Sequence, residues 1–168
     1  MSPERVHVAV CGGGEAGEDV CRLAEDVGRE LARRGAVVVT GGLGGVMEAA
    51  CRGAKAASGT TIGILPTDDR AAANPWVDVA VPTGMGEGRN VLVVRAADAV
   101  IAVAGEFGTL SEIALALRLG KPVVGLRTWE LARDGRRVEA VVAATGPDEA
   151  AERAVALARE RRERPTGW

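Results

Sequence analysis

The sequence predicts an α/β protein built on a doubly wound, mostly parallel sheet of about seven strands, with helices on both faces. Three observations predict it. Short runs rich in Val and Ile alternate with segments of helical periodicity. Several of the runs are nearly continuously apolar, as strands covered on both faces must be. Glycine is concentrated where a run ends and a helical segment begins.

The apolar runs are RVHVAVC (5–11), AVVVTG (36–41), TTIGIL (60–65), VDVAV (77–81), DAVIAVA (98–104), PVVGL (122–126) and VEAVVAA (138–144). Between the first two, residues 17–35 place Val20, Leu23, Ala24, Val27 and Leu31 at helical spacing, and Gly35 closes the helix. Further helices are predicted over 44–58, 88–97 and 109–120. A last one spans 146–164, with Pro147 in its first turn and a charged, solvated end. Residues 66–76 form a polar loop. Residues 127–137 suit one or two helical turns followed by a turn at Asp134-Gly135. No repeat or linker divides the 168 residues, which are expected to form a single domain with a charged tail over about 160–168.

Composition narrows the function. The formal charge is −2, without the basic excess that tracks a nucleic-acid backbone. No apolar run approaches the ~20 residues of a membrane span. MSPERVHVAV lacks the long apolar stretch of a signal peptide. A cytoplasmic protein that meets neither nucleic acid nor membrane is therefore expected. Cys11, Cys21 and Cys51 match no zinc-binding spacing and read as buried thiols. The only histidine, His7, alternates with apolar residues in a strand. No base is left for a Ser-His-Asp or Cys-His triad, nor a ligand for a His-based metal site.

Four strand-to-helix turns are rich in glycine: CGGGEAG (11–17), TGGLGG (40–45), PTGMGEGRN (82–90) and AGEFGT (104–109). In a parallel sheet such turns share one edge, where open α/β sheets bind ligands. Helix N-termini there offer unpaired N–H groups and a positive dipole end, which suits phosphate. Gly12 and Gly13 belong to this set. Gly12-x-Gly14-x-x-Gly17 also matches a dinucleotide fingerprint, which wants an acid at the end of the second strand. That strand ends in Thr40-Gly41. The same glycines have P-loop spacing, but Glu18 and Asp19 stand where Lys and Ser/Thr are required.

GTLSE (108–112) after a glycine-bearing strand end resembles the PGGxGTxxE motif of the LONELY GUY family, Rossmann-like proteins long mislabelled lysine decarboxylases. TGGLGGVMEAACRGA (40–54) resembles that family's second signature. The likeness covers about residues 5–126 and is nearest to the branch of molybdenum-cofactor carriers. It implies that Gly105, Gly108 and Thr109 cradle a phosphate and that Glu112 faces the ribose and glycosidic bond. Gly41, Gly42, Gly45 and Met47 fall on the second motif. Arg89 matches the arginine of the upstream MHxRK, and Asn90 replaces its lysine. Gly86 replaces its histidine. The family's Pro-Gly-Gly is Ala104-Gly105-Glu106 here. A side chain at 106 is strained by about 1 kcal/mol if φ is positive there. Its carboxylate repels a phosphate if it points inward.

Two functions follow from the resemblance. One is a carrier of a phosphorylated nucleotide or pterin, with the molybdenum cofactor as candidate cargo and no resident cofactor. The missing histidine and lysine, and Glu106, favour it. The other is a nucleoside 5′-monophosphate phosphoribohydrolase, in which Arg89 and Glu112 are catalytic. An oxocarbenium-like transition state suits a carboxylate beside the ring, and a guanidinium fixes phosphate in a fork. On residue types alone, Glu112 caps its helix and Arg89 pairs with a surface acid. Phe107 either stacks on a ligand base or anchors its loop. Trp76, Trp129 and Trp168 read as packing or surface residues. Lysine decarboxylation needs a Schiff-base lysine, and Lys55 and Lys121 are both placed away from the glycine turns. The helices over VLVVRAA and IALALRLG are apolar on nearly all sides and imply a homo-oligomer, dimer or tetramer.

Overall fold

The computed structural model describes residues 4–164. In chain order the regular elements are β1 (His7–Cys11), α1 (Glu18–Arg33), β2 (Val37–Thr40), α2 (Val46–Ala56), β3 (Thr60–Leu65), β4 (Val79–Pro82), α3 (Asn90–Arg95), β5 (Ala99–Val103), α4 (Phe107–Arg118), β6 (Val123–Leu126), β7 (Leu131–Arg133), β8 (Arg136–Val138), β9 (Val141–Ala143) and α5 (Pro147–Glu163). Seven strands form one sheet in the order β4-β3-β2-β1-β5-β6-β9. Every neighbouring pair in it is parallel. The doubly wound α/β reading holds.

The pleat divides the strand residues between two cores. Val8, Val10, Val38, Ile101 and Val103 face α1, α2 and α5. Ala9, Cys11, Val39, Val100 and Ala102 face α3 and α4. A fully buried aliphatic side chain contributes about 1.5–3 kcal/mol, so strands apolar on both faces are what a two-sided sheet requires. Helix α1 carries Glu18 and Asp19 in its first turn and Arg33 in its last, matching its dipole. It lies backbone to backbone on α2. A Cβ on Gly28 would stand 1.9 Å from the Ala50 carbonyl oxygen, and one on Gly53 would stand 1.8 Å from that of Glu25.

The sequence reading needs correction in four places. Residues 127–137 hold no helical turn: β7 and β8 pair as an antiparallel hairpin, with Asp134 and Gly135 both at positive φ in its turn. The strand expected over 138–144 is divided, because Val138 closes that hairpin and only Val141–Ala143 joins the main sheet. Helix α4 starts at Phe107 rather than Thr109, which moves Glu112 from the first turn to the second. The predicted helix over 88–97 is a 3₁₀ turn, Gly86–Arg89, running into the shorter α3. Helices α3 and α4 bury Val93, Val94, Ile113 and Ala116 against the sheet, and Leu92, Leu115, Leu117 and Leu119 flank them half-buried. Residues 165–168 of the expected charged tail lie outside the described residues. No helix among the described residues is long and apolar enough to cross a membrane.

Candidate functional site

The chain builds β1 to β4 outward in one direction, then returns to place β5 on the other side of β1. The carboxyl ends of β1 and β5 therefore flank the topological switch point. A cleft of about 1000 Å³ opens there, at the upper end of the range for small-molecule sites. Of the residues expected in the site, Gly12, Gly13, Met47, Arg89, Asn90, Phe107, Gly108, Thr109 and Glu112 line it.

Gly41, Gly42, Gly45 and Gly105 do not line it. Their lack of a side chain answers to neighbours. Gly45, at φ +60°, would put a Cβ 2.2 Å from the Gly13 carbonyl oxygen, and Val46 N–H donates to that same oxygen at 3.0 Å. This locks the first two glycine turns together. Gly105, at φ +97°, would drive a Cβ to 2.3 Å from Thr109 Oγ1. Gly42 faces Leu65, and Gly41 faces Arg89.

Arg89 sits at the end of the 3₁₀ turn and is only 8% exposed. Its Nε donates to the Ile64 carbonyl at 2.8 Å, Nη2 to the Gly41 carbonyl at 3.4 Å, and Nη1 to Asn90 Oδ1. Asn90 Nδ2 in turn reaches Ser111 Oγ at 3.5 Å, and Ser111 Oγ donates to the Gly108 carbonyl at 2.6 Å. A chain of hydrogen bonds thus runs from α3 to the first turn of α4. No carboxylate among the described residues forms an ion pair with Arg89, so pairing with a surface acid does not describe it.

Glu112 is also 8% exposed. Burial raises its carboxyl to about 7, and the Cys11 thiol and Arg89 charge offset only part of that rise. The same burial, with Glu112 beside it, pushes the Cys11 thiol well up. A capping role for Glu112 falls, since it lies in the second turn and inside the protein. Cys11 was legible only as a buried thiol. Its place as the last residue of β1, in phase with Ala9, sets it on the α3–α4 face beneath the cleft.

Glu106 carries no backbone strain. Its φ is −101°, an extended conformation, and it serves as the N-cap residue of α4. Positive φ falls instead on Ala104, at +46°, and Gly105. The penalty of about 1 kcal/mol therefore sits at Ala104. The Glu106 residue is exposed at the cleft rim. Phe107 is exposed as well and does not anchor its loop by burial.

The sequence profile of the SLOG cluster4 family matches residues 5–157. The chain belongs to this family. Solved structures similar to it include the molybdenum cofactor binding protein of Rippkaea orientalis, 38% identical with a TM-score of 0.81, over 90% of this chain and 96% of that one. The Moco carrier protein of Chlamydomonas reinhardtii is 34% identical with a TM-score of 0.81, over 94% and 99%. An uncharacterised protein of Archaeoglobus fulgidus is 44% identical over 122 residues, 73% of this chain and 80% of that one. The resemblance to the LONELY GUY superfamily is thereby borne out, on its carrier-like side. In this SLOG chain both motifs contribute to the cleft, Leu43 and Met47 from one and Gly108, Thr109 and Glu112 from the other.

Proposed function

We propose that the protein binds a phosphorylated pterin or nucleotide in this cleft and carries it, with the molybdenum cofactor as a fitting cargo. The seating of Arg89 is the observation that carries the reading. Its guanidinium is oriented by two backbone carbonyls and an amide oxygen rather than neutralised by a carboxylate. It stays available to a bidentate phosphate contact. The opening N–H groups of α4, at Phe107, Gly108 and Thr109, are free of helical partners and add a second anion-binding element. The likeness to two carrier or binding proteins for the same cofactor supports this choice. Purification from cells that make the cofactor, followed by assay of molybdenum and oxidised pterin, tests it. Stoichiometric cofactor lost in Arg89→Met is expected; wild-type protein without either component overturns the carrier reading.

Glu112 supports a second reading. A buried carboxyl titrating at about 7 beside a guanidinium is placed to exchange a proton or stabilise positive charge at neutral pH. That is what cleavage of an N-glycosidic bond needs. Incubation with AMP and other nucleoside monophosphates, with free base followed by chromatography, separates the two. Base released by wild type and abolished in Glu112→Gln makes the protein a phosphoribohydrolase. Self-association over the half-buried leucines of α3 and α4 accompanies either reading and is checked by sedimentation.

A further inference from the structure

The chain has one Phe, three Trp and no Tyr, and two of these few aromatic rings meet at the cleft rim. Phe107 is 74% exposed, the most exposed large hydrophobic side chain among the described residues. Its ring is nonetheless held. Trp129 packs against it with centroids 5.5 Å apart and planes inclined by 38°. Trp129 Nε1 donates to the Glu106 carbonyl at 3.2 Å, and Thr128 Oγ1 donates to the Ala104 carbonyl at 2.6 Å. The segment after β6 is thereby pinned to the loop after β5. An aromatic face both exposed and fixed is a platform for another flat ring.

Charge divides the same cleft into two halves. Arg89, its one cation, lies deep beside Glu112, whose burial disfavours the charged carboxylate, while Glu15, Glu87 and Glu106 stand exposed at the rim. The side chain of Glu106 has no hydrogen-bond or ion-pair partner among the described residues. It is adjacent in sequence to the platform. Phosphate belongs with the deep cation. An acceptor-only carboxylate at the rim suits the opposite end of a ligand, one that presents N–H groups.

We propose that Phe107 stacks on the planar ring of the ligand and that Glu106 accepts two hydrogen bonds from it. The cleft would then prefer a 2-amino-4-oxopyrimidine ring, as found in guanine and in pterins, over adenine. Such a ring offers a ring N–H and an amino group side by side, a match for the two oxygens of a carboxylate. Adenine sets a ring-nitrogen lone pair next to its amino group, which faces one carboxylate oxygen with an acceptor. The departure of residue 106 from the family glycine thus becomes a specificity determinant. This inference rests on a phosphorylated ligand occupying the cleft.

Calorimetric titration of the full chain with GMP, AMP and ribose 5-phosphate tests it. GMP should bind more tightly than AMP, and both more tightly than ribose 5-phosphate. Phe107→Ala should weaken GMP and AMP by roughly tenfold or more and leave ribose 5-phosphate unchanged. Glu106→Gln should narrow the gap between GMP and AMP. Ribose 5-phosphate bound as tightly as GMP would overturn the platform while leaving the phosphate site standing. Equal affinity for GMP and AMP would overturn the role of Glu106. Absence of all binding would overturn the inference together with the reading beneath it. A change in sedimentation on Phe107→Ala would assign the ring to a contact between copies instead.

Discussion

A Cβ on Gly41 would stand 2.6 Å from Arg89 Nη2 and 2.7 Å from Met47 Sδ. The turn after β2 is therefore kept bare to seat a guanidinium that arrives from the segment before α3. The glycine that looks like part of a phosphate loop acts one step back, by fixing the direction of the cation.

Gly41→Ala should displace Arg89 without entering the cleft itself. A charge-assisted hydrogen bond contributes about 1.5–3 kcal/mol, so affinity for ribose 5-phosphate should fall roughly ten- to hundredfold. The far-ultraviolet circular dichroism should stay unchanged. An unaltered affinity would mean that Arg89 does not touch the phosphate.

Glu112 should leave a signature in the pH dependence of stability. The folded carboxyl titrates at about 7 against an ordinary value of 4.5, because burial disfavours its charge. Between these values the folded chain holds a proton that the unfolded chain has released. Its contribution is fully present below about 4.5 and is lost as pH rises through about 7, by on the order of 3 kcal/mol. Glu112→Gln has no such loss. Urea unfolding at pH 4.5, 6 and 8 should show wild type losing ground against the variant. Parallel curves would show that burial does not raise the Glu112 carboxyl above its ordinary value.

Gly28→Ala tests the contact of α1 with α2. In an exposed helix this substitution stabilises by up to about 1 kcal/mol. Here the added methyl meets the Ala50 carbonyl oxygen at 1.9 Å and must push the helices apart. A net loss of about 2 kcal/mol or more is expected in denaturant unfolding, and Gly53→Ala should behave alike. A gain in stability in either would show that the helices part without penalty.

Lys121 closes the C-terminus of α3, where its Nζ donates to the carbonyls of Val94, Arg95 and Ala97. Lys121→Met keeps the aliphatic stem and strands these acceptors. A loss of about 1–3 kcal/mol should appear as a lower urea midpoint. No change would mean that water replaces the amine at all three.

Much of this was legible beforehand because it depends on local periodicity. Val8, Val10, Val38 and Ile101 announce strands covered on both faces, and Leu23, Ala24, Val27 and Leu31 announce α1. The hairpin of β7 and β8 was missed because each strand is three residues long, too short for a period to emerge. Glu112 was found by its motif, but its burial depends on α4 starting two residues early. The pairing of Trp129 with Phe107 left no trace in sequence, since one lies on the connection after β6 and the other opens α4.

The sequence by itself determined the parallel sheet and, with it, the gathering of the glycine turns at one edge, because parallel strands all end on the same side. Tertiary structure alone decided which glycines face the cleft and which yield space to a neighbour, where the carboxyl of Glu112 comes to lie, and which ring stands exposed at the rim. Periodicity encodes the face and direction of each element. The distances between loops from different elements follow only from how those elements pack.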